Sequence, residues 1–262
     1  MSGTANMKNS NVQEKSKGVV LFAFNTDRVN YVEIAERASR LITRNLNLPV
    51  TIITDIGELP KNFRKGYAGG TLWYNSGRYL AYELSPYDET LLLDSDYLIL
   101  DDSLLKILDS VVDYTIMTKN QNPTQTMNGN MGMLSLNYVW ATAITFKKTT
   151  KSKLLFELVG RIQRNYDYYI KLYNLREHNF RNDYAFTIAD NILNGYTNSS
   201  GIPWTMLTIA NPITKIEIKN NKLIVREQES AHILSRQNIH VIDKDYLLSD
   251  DYQQFVDTIC QS

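Results

Sequence analysis

Short apolar runs alternate with amphipathic segments along the first half of the chain. Residues 18–24 are apolar without strict alternation, which predicts a strand buried on both faces. A helical stripe follows, formed by Val32, Ile34, Ala35, Ala38, Leu41 and Ile42. A second apolar run at residues 50–53 completes a strand–helix–strand unit. Because such units build parallel sheets, the pattern predicts an α/β fold.

The alternation continues towards the middle of the chain. Residues 73–84 predict a helix that Pro86 ends, and residues 90–93 predict a third buried strand. Further predicted elements are a strand at 97–100, a helix at 103–108, and strands at 111–117 and 139–146. Residues 119–132 are polar without an apolar period, so we predict a long functional or mobile loop there.

The second half of the chain has longer helical patterns and then strand patterns. We predict helices over about 151–173 and 180–194. Residues 215–219 and 222–225 alternate about Asn220-Asn221, which is a hairpin signal. Residues 1–17 are polar, and we expect a flexible N-terminal tail there.

Composition narrows the class of protein. The 262 residues are 43% hydrophobic, enough for a sizeable core, and 28 basic residues balance 28 acidic ones. A chain with no net charge is not built to coat nucleic acid. The single cysteine, Cys260, excludes a disulfide framework within the chain. The sequence has no apolar run of transmembrane length and no apolar signal segment, so we expect a soluble, cytoplasmic protein.

Acidic residues concentrate around the end of the third predicted strand. Residues 88–113 contain eight acids and a single base. Asp94 and Asp96 directly follow the apolar run, and open α/β sheets bind ligands beyond the carboxyl ends of their strands. Clustered carboxylates favour a cation between them, and hard oxygen ligands suit Mg²⁺ or Mn²⁺. Two aspartates separated by one residue are a common sequence, and residues 243–245 are a second example in this chain. The alternative is therefore that Asp94 and Asp96 cap a helix while the other acids lie on a solvated face.

An ordered set of residues resembles the GT-A glycosyltransferases, in particular the branch with glycogenin and the lipopolysaccharide galactosyltransferases. The set is Asn25-Thr26, Tyr31, Thr54-Asp55, Arg78, Tyr87 and Asp94-Ser95-Asp96. The resemblance implies a Rossmann-like, mostly parallel sheet flanked by helices, with a β-rich C-terminal addition. It also implies one GT-A domain over 18–262, with a nucleotide-binding half at 18–117. The acceptor-side half would be 118–262, which includes the C-terminal hairpin.

The resemblance further implies which residues bind the donor. They would be Phe24, Asn25, Thr26, Tyr31, Asp55, Arg78, Asp94, Ser95, Asp96 and Lys244. Tyr31 would stack on the base, Asp55 would bond to base or ribose, and Arg78 would approach the donor phosphate or sugar. Lys244 would neutralise the leaving diphosphate. The structural alternatives are a Tyr packed at a helix start, a helix-capping Asp and a surface helix charge.

The metal ligands and catalytic residues follow from the same resemblance. Asp94 and Asp96 would bind Mn²⁺ or Mg²⁺, with His240 as the third ligand and His232 as the alternative. An imidazole ligand suits Mn²⁺ better than Mg²⁺. Asp183 and Asp96 are the predicted catalytic residues. Asp183 would orient sugar hydroxyls or stabilise charge at the anomeric carbon, and its alternative role is a helix N-cap.

The expected function is metal-dependent transfer of a sugar from a nucleoside-diphosphate sugar, a UDP-sugar by preference, to a glycan or a modified DNA base. The hypothesis of a DNA acceptor depends on basic residues around one predicted helix, and the alternative is that these residues form a solvated helix face. They are Lys147, Lys148, Lys151, Lys153, Arg161 and Arg164. A nucleotidyltransferase or another nucleotide-sugar enzyme is the second hypothesis, although residues 24–29 lack the glycine of its usual phosphate loop. A catalytically inactive sugar-nucleotide-binding module is the third.

Overall fold

The computed structural model describes residues 15–56, 77–110, 113–127, 130–131, 136–175, 180–197 and 201–261. The helices are α1 (Tyr31–Leu46), α2 (Ala81–Leu84), α3 (Ser103–Ser110), α4 (Thr150–Arg164), α5 (Tyr166–Leu172), α6 (Asn182–Leu193), α7 (Lys244–Leu248) and α8 (Asp250–Gln261). A single 3-10 turn, Arg78–Leu80, leads directly into α2.

The strands, in chain order, belong to two larger and two smaller sheets. They are β1 (Lys17–Phe22), β2 (Val50–Ile53), β3 (Glu89–Leu93), β4 (Tyr97–Leu98), β5 (Tyr114–Met117), β6 (Asn120–Gln121), β7 (Thr126–Met127), β8 (Asn130–Met131), β9 (Leu136–Asn137), β10 (Trp140–Lys147), β11 (Met206–Ile209), β12 (Ile213–Lys219), β13 (Lys222–Glu227), β14 (Ala231–Ser235) and β15 (Ile239–Val241). Among the described residues, no helix is long and apolar enough to cross a membrane.

The central sheet has the strand order β2-β1-β3-β10-β5. Strand β1 pairs in parallel with both β2 and β3, so that Val19 lies beside Val50 on one side and Leu91 on the other. Strand β10 runs antiparallel to β3 and β5. The predicted α/β class is therefore confirmed. The apolar run at 139–146 enters the same sheet in the opposite direction.

Both faces of the central sheet are covered by helices. Leu92 points into a core that includes Phe156 of α4 and Phe186 of α6. Its neighbours Leu91 and Leu93 point into the opposite core, which α1 and α3 cover. Burial on both faces explains why β3 is a continuous apolar run rather than an alternating one. The result is a three-layer arrangement of helices, sheet and helices.

Helix α1 has clear start and stop signals in the sequence. The Asn30 side chain caps its first turn by accepting from the Glu33 amide at 3.2 Å. Asn47 follows its last residue in the left-handed region, at φ 52°. Between these ends, the predicted apolar stripe is buried, with Ile34, Ala38 and Leu41 almost fully inaccessible.

The C-terminal half adds two further sheets. Strands β4-β15-β11-β6-β7 form one, and β12-β13-β14 form an antiparallel sheet beside it. The predicted hairpin is confirmed, because Asn220 and Asn221 connect β12 to β13 with φ values of 51° and 57°. Positive φ at both central residues is the geometry of a type I′ turn. The β-rich C-terminal part expected from the sequence is therefore present.

Two predicted helices differ from the observed ones. The pattern over 151–173 forms two helices, α4 and α5, which meet at Asn165. The Asn165 side-chain amide donates to the Arg161 carbonyl at 2.9 Å and competes with the continuing helix. Of the predicted helix at 73–84, residues 73–76 lie outside the described residues. The rest forms the 3-10 turn and α2.

The predicted N-terminal tail and the predicted long loop also differ from the structure. Ser16 donates to the Asp88 carboxylate from its amide and its hydroxyl, and β1 starts at Lys17, so the predicted tail boundary is too late. Residues 1–14 lie outside the described part. In the segment 119–132, the described residues include β6, β7 and β8, so the prediction of a plain loop is wrong there. Strand β6 pairs in parallel with β11, which is distant in sequence, and antiparallel with β7.

Candidate active site

The Asp94-Ser95-Asp96 turn joins the two larger sheets. Strand β3 ends at Leu93, and the Asp94 amide donates to the Thr142 carbonyl of β10 at 2.9 Å. On the other side, the Asp96 carbonyl accepts from the Val241 amide of β15 at 2.9 Å. The turn is thus anchored at both ends, with Ser95 buried between the two acids. Its position is the carboxyl end of a parallel strand, where the sequence predicted a ligand site.

Asp94, Asp96 and His240 lie together. One ligand atom from each residue can be chosen so that all three atoms fall within 4.8 Å of one another. His240 reaches the acids because β15 pairs antiparallel with β4, which places His240 opposite Tyr97. His232 does not join them, since it lies on β14 with Nε2 3.5 Å from a Glu227 oxygen. Of the two predicted histidines, His240 is therefore the candidate ligand.

The orientation of His240 is fixed from behind. Its Nδ1 lies 3.3 Å from Thr208 Oγ1, and the Thr208 hydroxyl donates to Asn120 Oδ1 at 2.7 Å. Because the Thr208 hydrogen is used towards Asn120, its oxygen accepts from the Nδ1–H of His240. Nε2 consequently faces Asp96, 3.5 Å from Oδ1. This is the arrangement in which a histidine presents one nitrogen to a metal and anchors the other.

Lys244 holds the second oxygen of Asp96. Its ammonium lies 2.5 Å from Asp96 Oδ2 and also donates to the carbonyls of Val241 and Ile242, at 3.1 and 2.9 Å. Burial opposes ionisation of Asp96, but His240 and Lys244 together hold its pKa well below the usual range. Burial also acts on His240, yet the charge of Asp96 raises its pKa above the ordinary value. Lys244 thus adjoins the acids, as predicted for a residue near the diphosphate.

Arg78 is buried beneath the acids instead of exposed on a helix. Only 2% of its surface is accessible. Its guanidinium donates to Asp94 Oδ1 through one nitrogen and to the Ala141 carbonyl through another. Burial raises the pKa of Asp94, and the charge of Arg78 opposes that rise. The alternative of a surface helix charge is therefore wrong, and Arg78 is the positively charged partner of Asp94 in this structure.

Asp183 reaches the same region from α6. Its Oδ1 accepts from the Ala141 amide at 2.8 Å, and its Oδ2 accepts from Arg181 at 3.2 Å. The hydroxyl of Tyr138 also bonds to it. Asp183 is the second residue of α6, and the position before the helix is Arg181 without a side-chain cap, so the N-cap alternative is wrong. The Asp183 carboxylate instead points across to β10.

The predicted base and ribose contacts lie after the carboxyl ends of β1 and β2. Asn25 Oδ1 accepts from the Val32 amide at 2.9 Å, and Thr26 Oγ1 accepts from the Val29 amide at 2.9 Å. Both side chains thus shape the start of α1. Phe24 packs against the core and edge-on to Phe22, with centroids 6.1 Å apart.

Tyr31 and Asp55 occupy different surroundings. Burial raises the pKa of the Tyr31 hydroxyl, and the charges of Lys244, Asp96 and Asp94 act on it as well. Tyr31 therefore begins α1 beside the acid cluster. Asp55 is exposed after β2. Tyr87 serves a structural purpose, because its ring covers Gly18, where a Cβ would lie 2.3 Å from it, and its hydroxyl lies 2.9 Å from Thr51 Oγ1.

Several residues around the site were missed by sequence reasoning. Tyr138 and Trp140 form an aromatic group with Tyr184, at centroid distances of 4.9 Å for the first pair and 5.8 Å between the two tyrosines. Their alternation before a buried strand was a usable signal. Thr208 and Asn120 had none, because the hydrogen bonds that link them to His240 join three separate segments.

Four of the basic residues around the predicted 151–173 helix make contacts of their own and do not form one free patch. Lys147 lies 3.3 Å from Glu89, and the Lys148 ammonium donates to the Tyr82 carbonyl. Lys151 donates to Asn194 at 3.0 Å, and Arg164 lies over the Tyr79 ring. These contacts favour the alternative of a locally paired surface over a nucleic-acid groove.

This chain is similar in structure to several solved glycosyltransferases. Among solved structures, it is similar to glycosyltransferase GlyE of Streptococcus pneumoniae TIGR4, with 15% identity, coverage of 68% of this chain and 43% of that one, and a TM-score of 0.36. It is also similar to mouse xyloside xylosyltransferase 1, with 10% identity, coverage of 69% of this chain and 83% of that one, and a TM-score of 0.42. A third similar structure is galactosyltransferase LgtC in complex with donor and acceptor sugar analogues. The identity is 13%, the coverage is 74% of this chain and 75% of that one, and the TM-score is 0.42.

This chain therefore matches less than half of the length of GlyE. No protein-family model matches the chain, and neither does any curated protein. At these identities the likeness concerns the fold alone. Roles for individual residues depend on their own contacts in this chain.

Proposed function

We propose that this chain is a metal-dependent glycosyltransferase that takes a sugar from a nucleoside-diphosphate sugar. The observation that carries the proposal is the meeting of Asp94, Asp96 and His240 at the carboxyl end of β3. The sequence predicts the same two acids, with His240 or His232 as the third ligand. They come from two distant parts of the chain, and neither acid neighbours His240 in sequence.

The residues fit a divalent cation by their chemistry. Two carboxylates and one imidazole suit Mn²⁺, and suit Mg²⁺ less because it prefers oxygen ligands. Each carboxylate has two oxygens. Arg78 contacts Asp94 Oδ1 and Lys244 contacts Asp96 Oδ2, so one oxygen of each acid is left for a cation. The remaining coordination positions suit donor phosphates.

When bound, such a cation supplies Lewis-acid stabilisation of the charge that develops on the leaving diphosphate. The chain contributes placement and fixed charge. Arg78 holds Asp94 in position from the buried side, and Lys244 supplies a positive charge beside Asp96. Asp183, fixed by the Ala141 amide, is placed to accept hydrogen bonds from sugar hydroxyls.

The nucleotide base and ribose belong in this proposal to the loops after β1 and β2. The Tyr31 ring lies beside the acids and would stack on the base. The other residues around the base and ribose would be Phe24, Asn25, Thr26 and Asp55. UDP is the preferred nucleotide. The acceptor would approach past the Tyr138–Trp140–Tyr184 group, whose ring faces suit a sugar. A glycan acceptor therefore fits better than a modified DNA base.

Donor binding is expected to require the metal. Titration calorimetry of the full chain with UDP-sugars should show binding in Mn²⁺ and at least about tenfold weaker binding in chelator, because the diphosphate then lacks the cation that would bridge it to Asp94 and Asp96. His240→Ala should reproduce the chelator result, whereas the matched His232→Ala should bind as the unaltered chain does. Equal affinity with and without metal would refute the metal bridge. Binding without any turnover would favour the inactive binding module.

The Thr208 hydroxyl is expected to tune the metal site without touching the metal. Thr208→Val keeps the shape but removes the acceptor for His240 Nδ1–H. Loss of such a supporting contact typically costs about 10- to 100-fold in metal affinity. Mn²⁺ titration followed by electron paramagnetic resonance measures the change directly. Thr145→Val, which removes a buried hydroxyl partnered with Thr115 in the central sheet, is the control. An equal loss in both variants would mean a general effect on the fold.

A further inference from the structure

The sheet β12–β13–β14 has one face on the protein and one in solvent. Ile216, Leu223 and Val225 point inward and pack with helices α7 and α8. Alternate residues must point the opposite way. We call these the outer sheet face, which consists of Lys215, Glu217, Lys219, Lys222, Ile224, Arg226, Ala231, Ile233 and Ser235.

The outer sheet face concentrates positive charge. It carries four basic residues and one acid in a chain whose net charge is zero. The strand register places Lys215 beside Arg226 at one end and Lys219 beside Lys222 at the other. Glu217 lies between them and contacts Lys215 at 3.0 Å and Arg226 at 3.4 Å. After this pairing, an excess of positive charge remains at both ends of the face.

The row between the two groups of cations consists of Glu217 on β12 and the two isoleucines beside it on β13 and β14. Ile224 pairs with Ile233 across β13 and β14. Ile233 is 71% exposed, although it lies at the centre of its strand. Strand β14 is the edge of its sheet and carries no lysine or other device that commonly protects an edge. The face therefore combines a basic rim with an accessible aliphatic centre.

We propose that the outer sheet face docks the protein on the surface of a bilayer that contains anionic phospholipid. Lysine and arginine at both ends attract anionic headgroups, and an isoleucine between them gains by entry into the interfacial region. A nucleic acid fits this face less well, because the exposed Ile233 gains nothing from a phosphate backbone and none of the nine side chains is aromatic and able to stack on unpaired bases. This inference goes beyond sugar transfer and does not depend on it.

Co-sedimentation of the full chain with vesicles tests the proposal. The chain should bind mixed phosphatidylcholine–phosphatidylglycerol vesicles, bind pure phosphatidylcholine weakly, and leave the mixed vesicles as salt rises. The double variant Lys219→Glu/Lys222→Glu should lower the partition coefficient by at least about tenfold. The matched variant Lys106→Glu/Lys171→Glu, which reverses two exposed lysines elsewhere, should change it by less than about twofold.

Further measurements separate the possible failures. Ile233→Ser should weaken binding to the mixed vesicles at low salt without changing how steeply that binding falls as salt rises, and thermal unfolding of every variant should match that of the unaltered chain. Equal partition of the Lys219/Lys222 variant and the unaltered chain overturns the proposal, as does equal binding to neutral vesicles. Binding to duplex DNA that this variant loses, without any vesicle binding, assigns the face to nucleic acid and also overturns it.

Discussion

Exchange of Asp96 for Asn is expected to lower sugar transfer by at least about 10³-fold while the fold stays intact. Both Asp96 oxygens make contacts, one with His240 Nε2 at 3.5 Å and the other with the Lys244 ammonium at 2.5 Å. Asn preserves the volume and removes the charge. The predicted cation then loses a ligand, and the leaving diphosphate loses the charge compensation that the site provides. Release of UDP from the sugar donor, followed as kcat/KM, measures the effect.

The chain contains a matched control for this experiment. Asp245 belongs to the other Asp-x-Asp sequence, is exposed on α7, and can be changed to Asn in the same way. Asp245→Asn should keep kcat/KM within about twofold, since isolated surface substitutions have small effects. Circular dichroism and the unfolding midpoint establish that both variants fold. Transfer by Asp96→Asn at the rate of the unaltered chain would show that the site is assigned to the wrong residues.

Replacement of Arg78 by Met is expected to reduce the free energy of unfolding by about 3–5 kcal/mol. The Arg78 guanidinium is almost fully buried and bonds to both the Asp94 carboxylate and the Ala141 carbonyl. Met fills much of the space, but it leaves the Asp94 carboxylate without a positively charged partner and the Ala141 carbonyl without a hydrogen-bond donor. Urea unfolding followed by tryptophan fluorescence gives the change directly.

Two companion variants separate charge from geometry at Arg78. Arg78→Lys should recover only part of the loss, because one ammonium cannot copy a planar fork that serves two acceptors. Arg78→Met/Asp94→Asn should be more stable than Arg78→Met alone, since the unpaired charge is removed too. Unfolding free energies that agree within about 0.5 kcal/mol for Arg78→Met and the unaltered chain would contradict the buried ion pair.

Local patterns were sufficient for much of the fold. The apolar runs became β1 and β3 because a parallel strand covered on both faces needs no polar positions, whereas β2 forms the half-buried edge of the sheet. The Asn220-Asn221 pair specified its own turn. Patterns failed where distant partners decide. Residues 120–121 form a strand between the nearby β7 and the distant β11, and the direction of β10 depends on its neighbours β3 and β5.

The site divides in the same way. Asp94 and Asp96 could be predicted, because they follow an apolar run directly. The choice between His240 and His232 could not, since it depends on the pairing of β15 with β4. The burial of Arg78 was equally hidden, because a basic residue on a predicted helix is usually exposed.

The backbone of Ala141 links the two sides of the candidate site. Its N–H donates to Asp183 and its C=O accepts from Arg78, which in turn holds Asp94. No side chain of residue 141 takes part in this connection. A displacement of α6 would therefore pull on the β10 backbone and, through Arg78, on the first acid of the turn. Asp183 and Asp94 are thus joined by one continuous series of hydrogen bonds, which runs through the main chain of residue 141 and the Arg78 guanidinium.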